Sequence, residues 1–261
     1  MKRLSTMTVL MGMSVGLLAA DTFSNGNFET GDFSGWTQGA GVLTYGQTTN
    51  NLDPSSYLPS GANYNIGYNA SGIVAPGLDP RTDNNLNMVY SGNYSARVND
   101  SNNNYSVSVI SQTVNNYSDS HIYFAWAAVL ESSHGPTDSD VFQLILRDDT
   151  TSTDLYNVTY NSATAPSGLF TQSSSGWFYT NWQVQNLDVS ANQGDTFTLT
   201  LLGADCPYGG HAGYVYLDGF GSVLPPPSNA PEPATFSIMG AALLGGSFWL
   251  IRRRRAAAQH Q

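Results

Sequence analysis

The chain has 261 residues, with 19 acidic side chains against 9 lysines and arginines and a formal net charge of −10. Between Asp21 and Ala230 only Arg81, Arg97 and Arg147 are basic against 18 acids, so that span carries 18 − 3 = 15 net negative charges. Such a surface repels phosphate backbones and excludes nucleic acid as a partner, and the single cysteine, Cys206, excludes an intrachain disulfide.

Lys2 and Arg3 precede an apolar segment, Met7 to Ala20, that closes on Leu18-Ala19-Ala20. A charged start, a short apolar stretch and small residues at its end are the pattern of a secretory signal peptide, here residues 1–20, with cleavage after Ala20. The exported part then opens on Asn25-Gly26-Asn27-Phe28-Glu29-Thr30-Gly31-Asp32-Phe33-Ser34-Gly35-Trp36, where Phe28, Phe33 and Trp36 can point inward while the glycines turn the chain. This opening resembles the first strand and loop of secreted jelly-roll modules of the galactose-binding-like fold, which include several carbohydrate-binding families.

From Leu43 to Arg81 the chain is rich in turn pairs and poor in strand signals, the mark of a long functional or irregular loop. Strands are predicted at Leu86–Tyr90, Tyr94–Val98 and Tyr105–Val114. His121 to Leu130 is apolar on both alternating faces and reads as a central strand covered on both sides. Val141–Arg147 and Asp154–Tyr160 follow, then an extended run from Trp177 to Val189. In Thr196–Leu202, Phe197, Leu199 and Leu201 share a face opposite Thr196, Thr198 and Thr200, which predicts a half-buried strand. The last strand is Tyr214–Asp218. About ten short strands without an amphipathic helix between them predict an all-β, antiparallel jelly-roll β-sandwich over residues 21–223.

Residues 224–230 contain Pro225-Pro226-Pro227 and read as an extended spacer. Pro231-Glu232-Pro233 is followed by eighteen uncharged residues, Ala234 to Ile251, and by the block Arg252, Arg253, Arg254 and Arg255, leaving a tail at 256–261. Eighteen helical residues rise about 27 Å, close to a hydrocarbon core of roughly 30 Å, so the run can form a transmembrane helix. The prolines fix its outer end and the arginines hold its inner end in the cytoplasm. The order of parts resembles the PEP-CTERM sorting signal of Gram-negative bacteria. That resemblance implies an exosortase as partner, a transient single-pass stage in the inner membrane, and release to the cell surface or the extracellular polysaccharide.

Two constellations in the sandwich carry candidate chemistry. In the modules the opening resembles, the terminal strands pair and a structural calcium is held by carboxylates, which here would be Glu29 and Asp218 with backbone carbonyls completing the shell; two solvated carboxylates at strand ends are the alternative. Asp138-Ser139-Asp140 is a weaker calcium candidate. The second constellation is a glycan platform: strict alternation puts Trp177, Tyr179 and Gln183 on one face, giving an aromatic surface for a pyranose ring beside an amide for its hydroxyls. The alternative is that Trp177 packs under a loop. His134 and His211 show no metal-ligand spacing, and Cys206 reads as a small buried residue. No Gly-x-Ser-x-Gly elbow is present and no carboxylate sits in an apolar run, so the reading is a non-enzyme with a structural or adhesive role in exopolysaccharide or biofilm. A carbohydrate-binding module using a sheet face is the alternative, and a glycoside-cleaving hydrolase a third.

Overall fold

The computed structural model describes residues 22–131, 134–224 and 226–227. The expected signal peptide 1–20, Pro231-Glu232-Pro233, the apolar run 234–251 and the arginine block lie outside them. Among the described residues no helix is long and apolar enough to cross a membrane. The chain divides into units Met1–Pro225 and Pro226–Gln261, and all the described strands lie in the first.

Two antiparallel sheets form the predicted sandwich. The front sheet has five strands in the order β1 (Thr37–Val42), β4 (Ser106–Val114), β11 (Phe197–Ala204), β6 (Val141–Asp148) and β7 (Thr153–Tyr160). The back sheet runs β2 (Gly72–Val74), β3 (Ser95–Val98), β12 (Gly213–Gly221), β5 (His121–Leu130), β9 (Phe178–Tyr179) and β8 (Thr171–Gln172), with β10 (Gln183–Asp188) also paired to β5. Inward residues of both sheets make the main core: Ile110 and Val114 from β4, Phe142, Leu144 and Leu146 from β6, and Phe197, Leu199 and Leu201 from β11 meet Phe124, Trp126 and Leu130 from β5 and Val215 and Leu217 from β12. Fully burying side chains of this size contributes about 1.5–3 kcal/mol each before entropy is counted. β5 is central as its doubly apolar pattern demands, because Ala127 and Val129 on its other face enter a second apolar cluster.

Three features depart from the sequence reading. The opening segment is not a strand: residues 22–36 form turns, with Asn25 and Phe28 at positive φ, and the first strand is β1. The segment is fixed by Phe28 stacked on Trp36 at 5.2 Å between ring centroids and by the Trp36 Nε1–H donating to Asn25 O at 3.0 Å. Leu86–Tyr90 is not a strand either, and its one bridge joins Leu78 to Asn87. The run from Trp177 to Val189 breaks into two strands. Tyr179 pairs with Val129 but Gln183 pairs with Trp126, so four steps on one strand oppose three on the other. One extra residue inverts the facing of everything beyond it.

The long irregular stretch is a cover for both sheets. Residues 43–65 lie over one half of the front sheet, where Leu43, Leu52 and Tyr57 pack on Val107, Val109, Leu202 and Ala204. The contact is close because β1 carries glycines there: a Cβ on Gly39 would come within 2.4 Å of Tyr57 O, and one on Gly41 within 2.4 Å of Asn63 O. On the back sheet, Leu86, Val74 and Met88 join Trp177, Tyr179, Tyr214 and Tyr216.

Candidate functional site

The cover leaves the other half of the front sheet open, and the sequence explains where it stops. On the outward face of β4 the residues run Val107, Val109, Ser111, Thr113, and on β11 Ala204, Leu202, Thr200, Thr198, each changing from apolar to hydroxyl at the same level. Pairing puts Ser111 beside Thr200 and Thr113 beside Thr198, with Ile145 and Arg147 of β6 next in the two rows and Thr37 of β1 on the far side. The apolar half needs covering and the hydroxyl half does not.

The result is a groove of about 540 Å3, walled by Asp53, Pro54, Ser55, Leu58 and Pro59 on one side and by Asp149 and Asp154 on the other. That volume is within the usual range for a small-ligand cleft. Its floor is hydrogen-bonded across strands: Ser111 Oγ and Thr200 Oγ1 are 3.0 Å apart, Thr113 Oγ1 and Thr198 Oγ1 are 2.7 Å apart, and Thr198 Oγ1 donates to Asp149 Oδ2 at 2.6 Å. Arg147 is held between two carboxylates, with Nη1 3.0 Å from Asp154 Oδ1 and Nε 3.6 Å from Asp149 Oδ1. Three carboxylates and one guanidinium give the groove a negative excess. Ile145, Leu58, Pro54 and Pro59 supply apolar patches among the hydroxyls, and no aromatic ring lines it. Such a surface offers donors, acceptors and CH-bearing faces together, the set a neutral polyhydroxylated ligand needs.

The sequence-predicted platform lies elsewhere. Trp177 is 3% exposed and Tyr179 7%, both inside the back-sheet cluster, and Arg81 stacks over the Trp177 ring at 5.0 Å. A ring this deeply buried has no face left for a sugar, so the expectation of a stacking platform there is corrected. The extra residue before β10 also turns Gln183 to the face opposite Trp177 and Tyr179, while bringing Trp182 into their cluster, where its Nε1–H donates to Asn87 O at 2.8 Å. A smaller cavity of about 330 Å3 borders that cluster and takes in Arg81 and Arg97. The loop over it is pinned by Asp79, a fully buried carboxylate whose Oδ2 accepts from Tyr214 Oη at 2.7 Å and Tyr216 Oη at 2.9 Å. Burial raises the pKa of both phenols, so they remain donors.

Glu29 and Asp218 do approach each other, by a different route from the one expected. The terminal strands do not pair, since β1 is in the front sheet and β12 in the back. Instead the opening turns dock on the end of β12, where Phe220 N donates to Gly26 O at 2.9 Å. Residues 90–94 are held between the two carboxylates. Glu29 Oε1 accepts from Asn93 N and Tyr94 N and its Oε2 from Asn93 Nδ2, while Asp218 Oδ2 accepts from Tyr90 N and Ser91 N. Asp218 Oδ1 is buried without a hydrogen-bond partner. Burial pushes Asp218 up to about 7, with the Glu29 charge adding to the shift and the amide donors opposing it. In the weaker calcium candidate, Asp140 is fully buried and accepts from Glu131 N at 2.9 Å.

Sequence reasoning missed the groove. The Thr196, Thr198, Thr200 face was visible, but its neighbours on β4 and β6 are more than 45 residues away in the chain.

No family model matches this chain, and no curated protein matches it. Among solved structures it is similar to the carbohydrate-binding module TmCBM61 in complex with β-1,4-galactotriose, at 14% identity over 77% of this chain and 96% of that one, with a TM-score of 0.38. It is similar to the K2 cleaved adhesin domain of Lys-gingipain at 12% identity, covering 78% of this chain and 97% of that one, TM-score 0.36. It is also similar to the non-crystalline cellulose-specific module CBM28 at 14% identity, covering 80% and 98%, TM-score 0.36.

Proposed function

We propose that this chain is an exported, surface-sorted protein whose sandwich binds a neutral polysaccharide in the front-sheet groove, and so acts as an adhesive or matrix component. The observation that carries the binding reading is the groove itself: a sheet face left uncovered where its side chains turn to hydroxyls, beside Arg147 and three carboxylates. The acidic excess disfavours uronate-rich polymers and favours neutral or amino sugars. Binding rather than turnover is the role proposed, since Arg147 ties up both Asp149 and Asp154.

Sorting rests on the sequence of the two ends: the leader 1–20, Pro231-Glu232-Pro233, the apolar helix over Ala234–Ile251 and Arg252–Arg255. On this reading an exosortase is the processing partner, the inner membrane a transient stage, and the cell surface or extracellular matrix of a Gram-negative bacterium the destination. Calcium at Glu29 and Asp218 completes the proposal as a structural ion. It is supported by the orphaned buried Oδ1 of Asp218 and by the Glu29 charge near enough to act on that carboxyl, groups that a hard cation with oxygen ligands would satisfy.

The test is a glycan array probed with the full-length chain and with Arg147→Ala and Thr200→Trp. Saturable binding to neutral glycans that both substitutions abolish, at unchanged melting temperature, is expected. Binding that survives both, or none to any neutral or amino-sugar glycan, overturns the binding reading.

A further inference from the structure

The β5–β6 and β11–β12 connections meet at one end of the sandwich, where Glu131 N donates to Ala212 O and Ala212 N to Glu131 Oε2, both at 3.0 Å. Beside that junction His134, Cys206 and His211 each present one ligand atom, all within 4.8 Å of one another. Cys206 Sγ lies 3.5 Å from His134 Nε2, and the two imidazole rings are 4.4 Å apart between centroids at a 58° tilt. Neither histidine shares a sequence motif with the other, since 77 residues separate them, which is why spacing alone gave no signal.

The turn around the sulfur is built to hold it in place. Gly210 N and His211 N both donate to Cys206 Sγ at 3.2 Å, and Gly209 N donates to Cys206 O at 3.3 Å. Gly209 has φ of 71°, and a Cβ there would strike the Tyr105 phenol, so only glycine lets the turn close this tightly. Two amide N–H groups aimed at one sulfur fix its position beside the two imidazole rings. Cys206 is buried, whereas His134 is exposed, which leaves a way in from solvent. His211 Nδ1 is buried with no hydrogen-bond partner.

We propose that His134, Cys206 and His211 form a binding site for a zinc-class divalent ion, with the fourth coordination position open to solvent on the His134 side. Tetrahedral zinc with Zn–S of about 2.3 Å and Zn–N of about 2.0–2.1 Å sets its sulfur and nitrogen ligands roughly 3.5 Å apart, and the Cys206–His134 pair already stands at 3.5 Å. A thiolate and two imidazoles select a borderline-soft metal over calcium or magnesium. The ion displaces the Cys206 thiol proton into solvent and bonds to the sulfur and one nitrogen of each ring, with no change of oxidation state. It clamps the β5–β6 connection to the β11–β12 connection. None of its three ligands lines the glycan groove, so this site stands or falls independently of that reading.

Cobalt(II) titration of the metal-free, full-length chain tests it. One equivalent should bind, giving thiolate-to-cobalt charge-transfer absorption and tetrahedral ligand-field bands that zinc displaces. Cys206→Ser should remove the charge-transfer band. Outer-shell partners of metal sites are worth about 10–100-fold in affinity, so His134→Ala, which removes a direct ligand from an exposed position, should weaken binding by more than about tenfold. Its circular dichroism and metal-free melting temperature should stay unchanged. No saturable uptake, uptake without a sulfur band, or affinity unaltered in His134→Ala overturns the assignment.

Discussion

Asp79→Ala probes what holds the cover over Trp177 on the back sheet. Asp79 is fully buried, with Oδ2 accepting from the Tyr214 and Tyr216 hydroxyls and Oδ1 from Arg81 N at 2.8 Å. Truncation leaves both phenol hydroxyls buried without an acceptor. Each orphaned hydroxyl costs about 1–3 kcal/mol, hence roughly 2–6 kcal/mol for the pair. In a domain of about 150–250 residues each kcal/mol lowers Tm by about 2–4 °C, so a fall of roughly 4–24 °C follows. Differential scanning calorimetry of the full-length chain measures it. The decisive comparison is the same truncation in a Tyr214→Phe, Tyr216→Phe background, where no hydroxyl remains to be orphaned and the penalty should shrink by more than about 1 kcal/mol through coupling. Equal cost in both backgrounds would refute the claim that this triad pins the cover over Trp177.

Three further outcomes follow from named atoms. If calcium sits at Glu29 and Asp218, a chelator should lower Tm at neutral pH, by an amount equivalent to about 2.7 kcal/mol where free calcium had been 100 times its dissociation constant; Asp218→Asn should erase the chelator effect, and an unchanged wild-type Tm would dispose of the ion. Burial first, then the Glu131 and Asp205 charges, raise Asp140 well above the usual carboxylate range. A folded pKa above the unfolded value means that its stabilising contribution is complete below about 3.9 and declines as pH rises through the folded value, with a slope of at most about 1.4 kcal/mol per pH unit. Urea unfolding across pH should therefore show Asp140→Asn flattening that decline, and an identical slope would contradict it. Gly41→Ala places a methyl 2.4 Å from Asn63 O and against the Tyr57 ring; overpacking of this kind costs about 1–3 kcal/mol, readable from the urea midpoint, and a neutral result would mean that the 43–65 cover yields freely.

Much of the architecture is legible because burial imposes period on sequence. β5 carries apolar residues on both faces because it has core on both, and β11 alternates because its outward face ends in the open groove. β1 hides because Thr37-Gln38-Gly39-Ala40-Gly41-Val42 gives up side chains so that the cover can approach, which removes the strand signal along with the bulk. Trp177, Tyr179 and Gln183 look like one face only if the strand is unbroken; the extra residue between Tyr179 and Gln183 has no residue-type signature. Glu29 and Asp218 sit on either side of residues 90–94 because the opening turns dock on the end of β12, not because the terminal strands pair, and no strand period encodes that docking. Sites built across strands, such as Ser111–Thr200 and Cys206–His134, depend on registers between residues 72 or more apart, which local periodicity does not encode.

Glycan entry into the front-sheet groove is the step on which the proposed function rests. Backbone amide NMR of the isotope-labelled full-length chain, titrated with a neutral oligosaccharide that it binds, tests this most directly. Chemical-shift changes should concentrate at residues 111–113, 145–149 and 198–200 and at the 53–59 wall. Changes confined to 79–90 and 171–182, around Trp177, would contradict it.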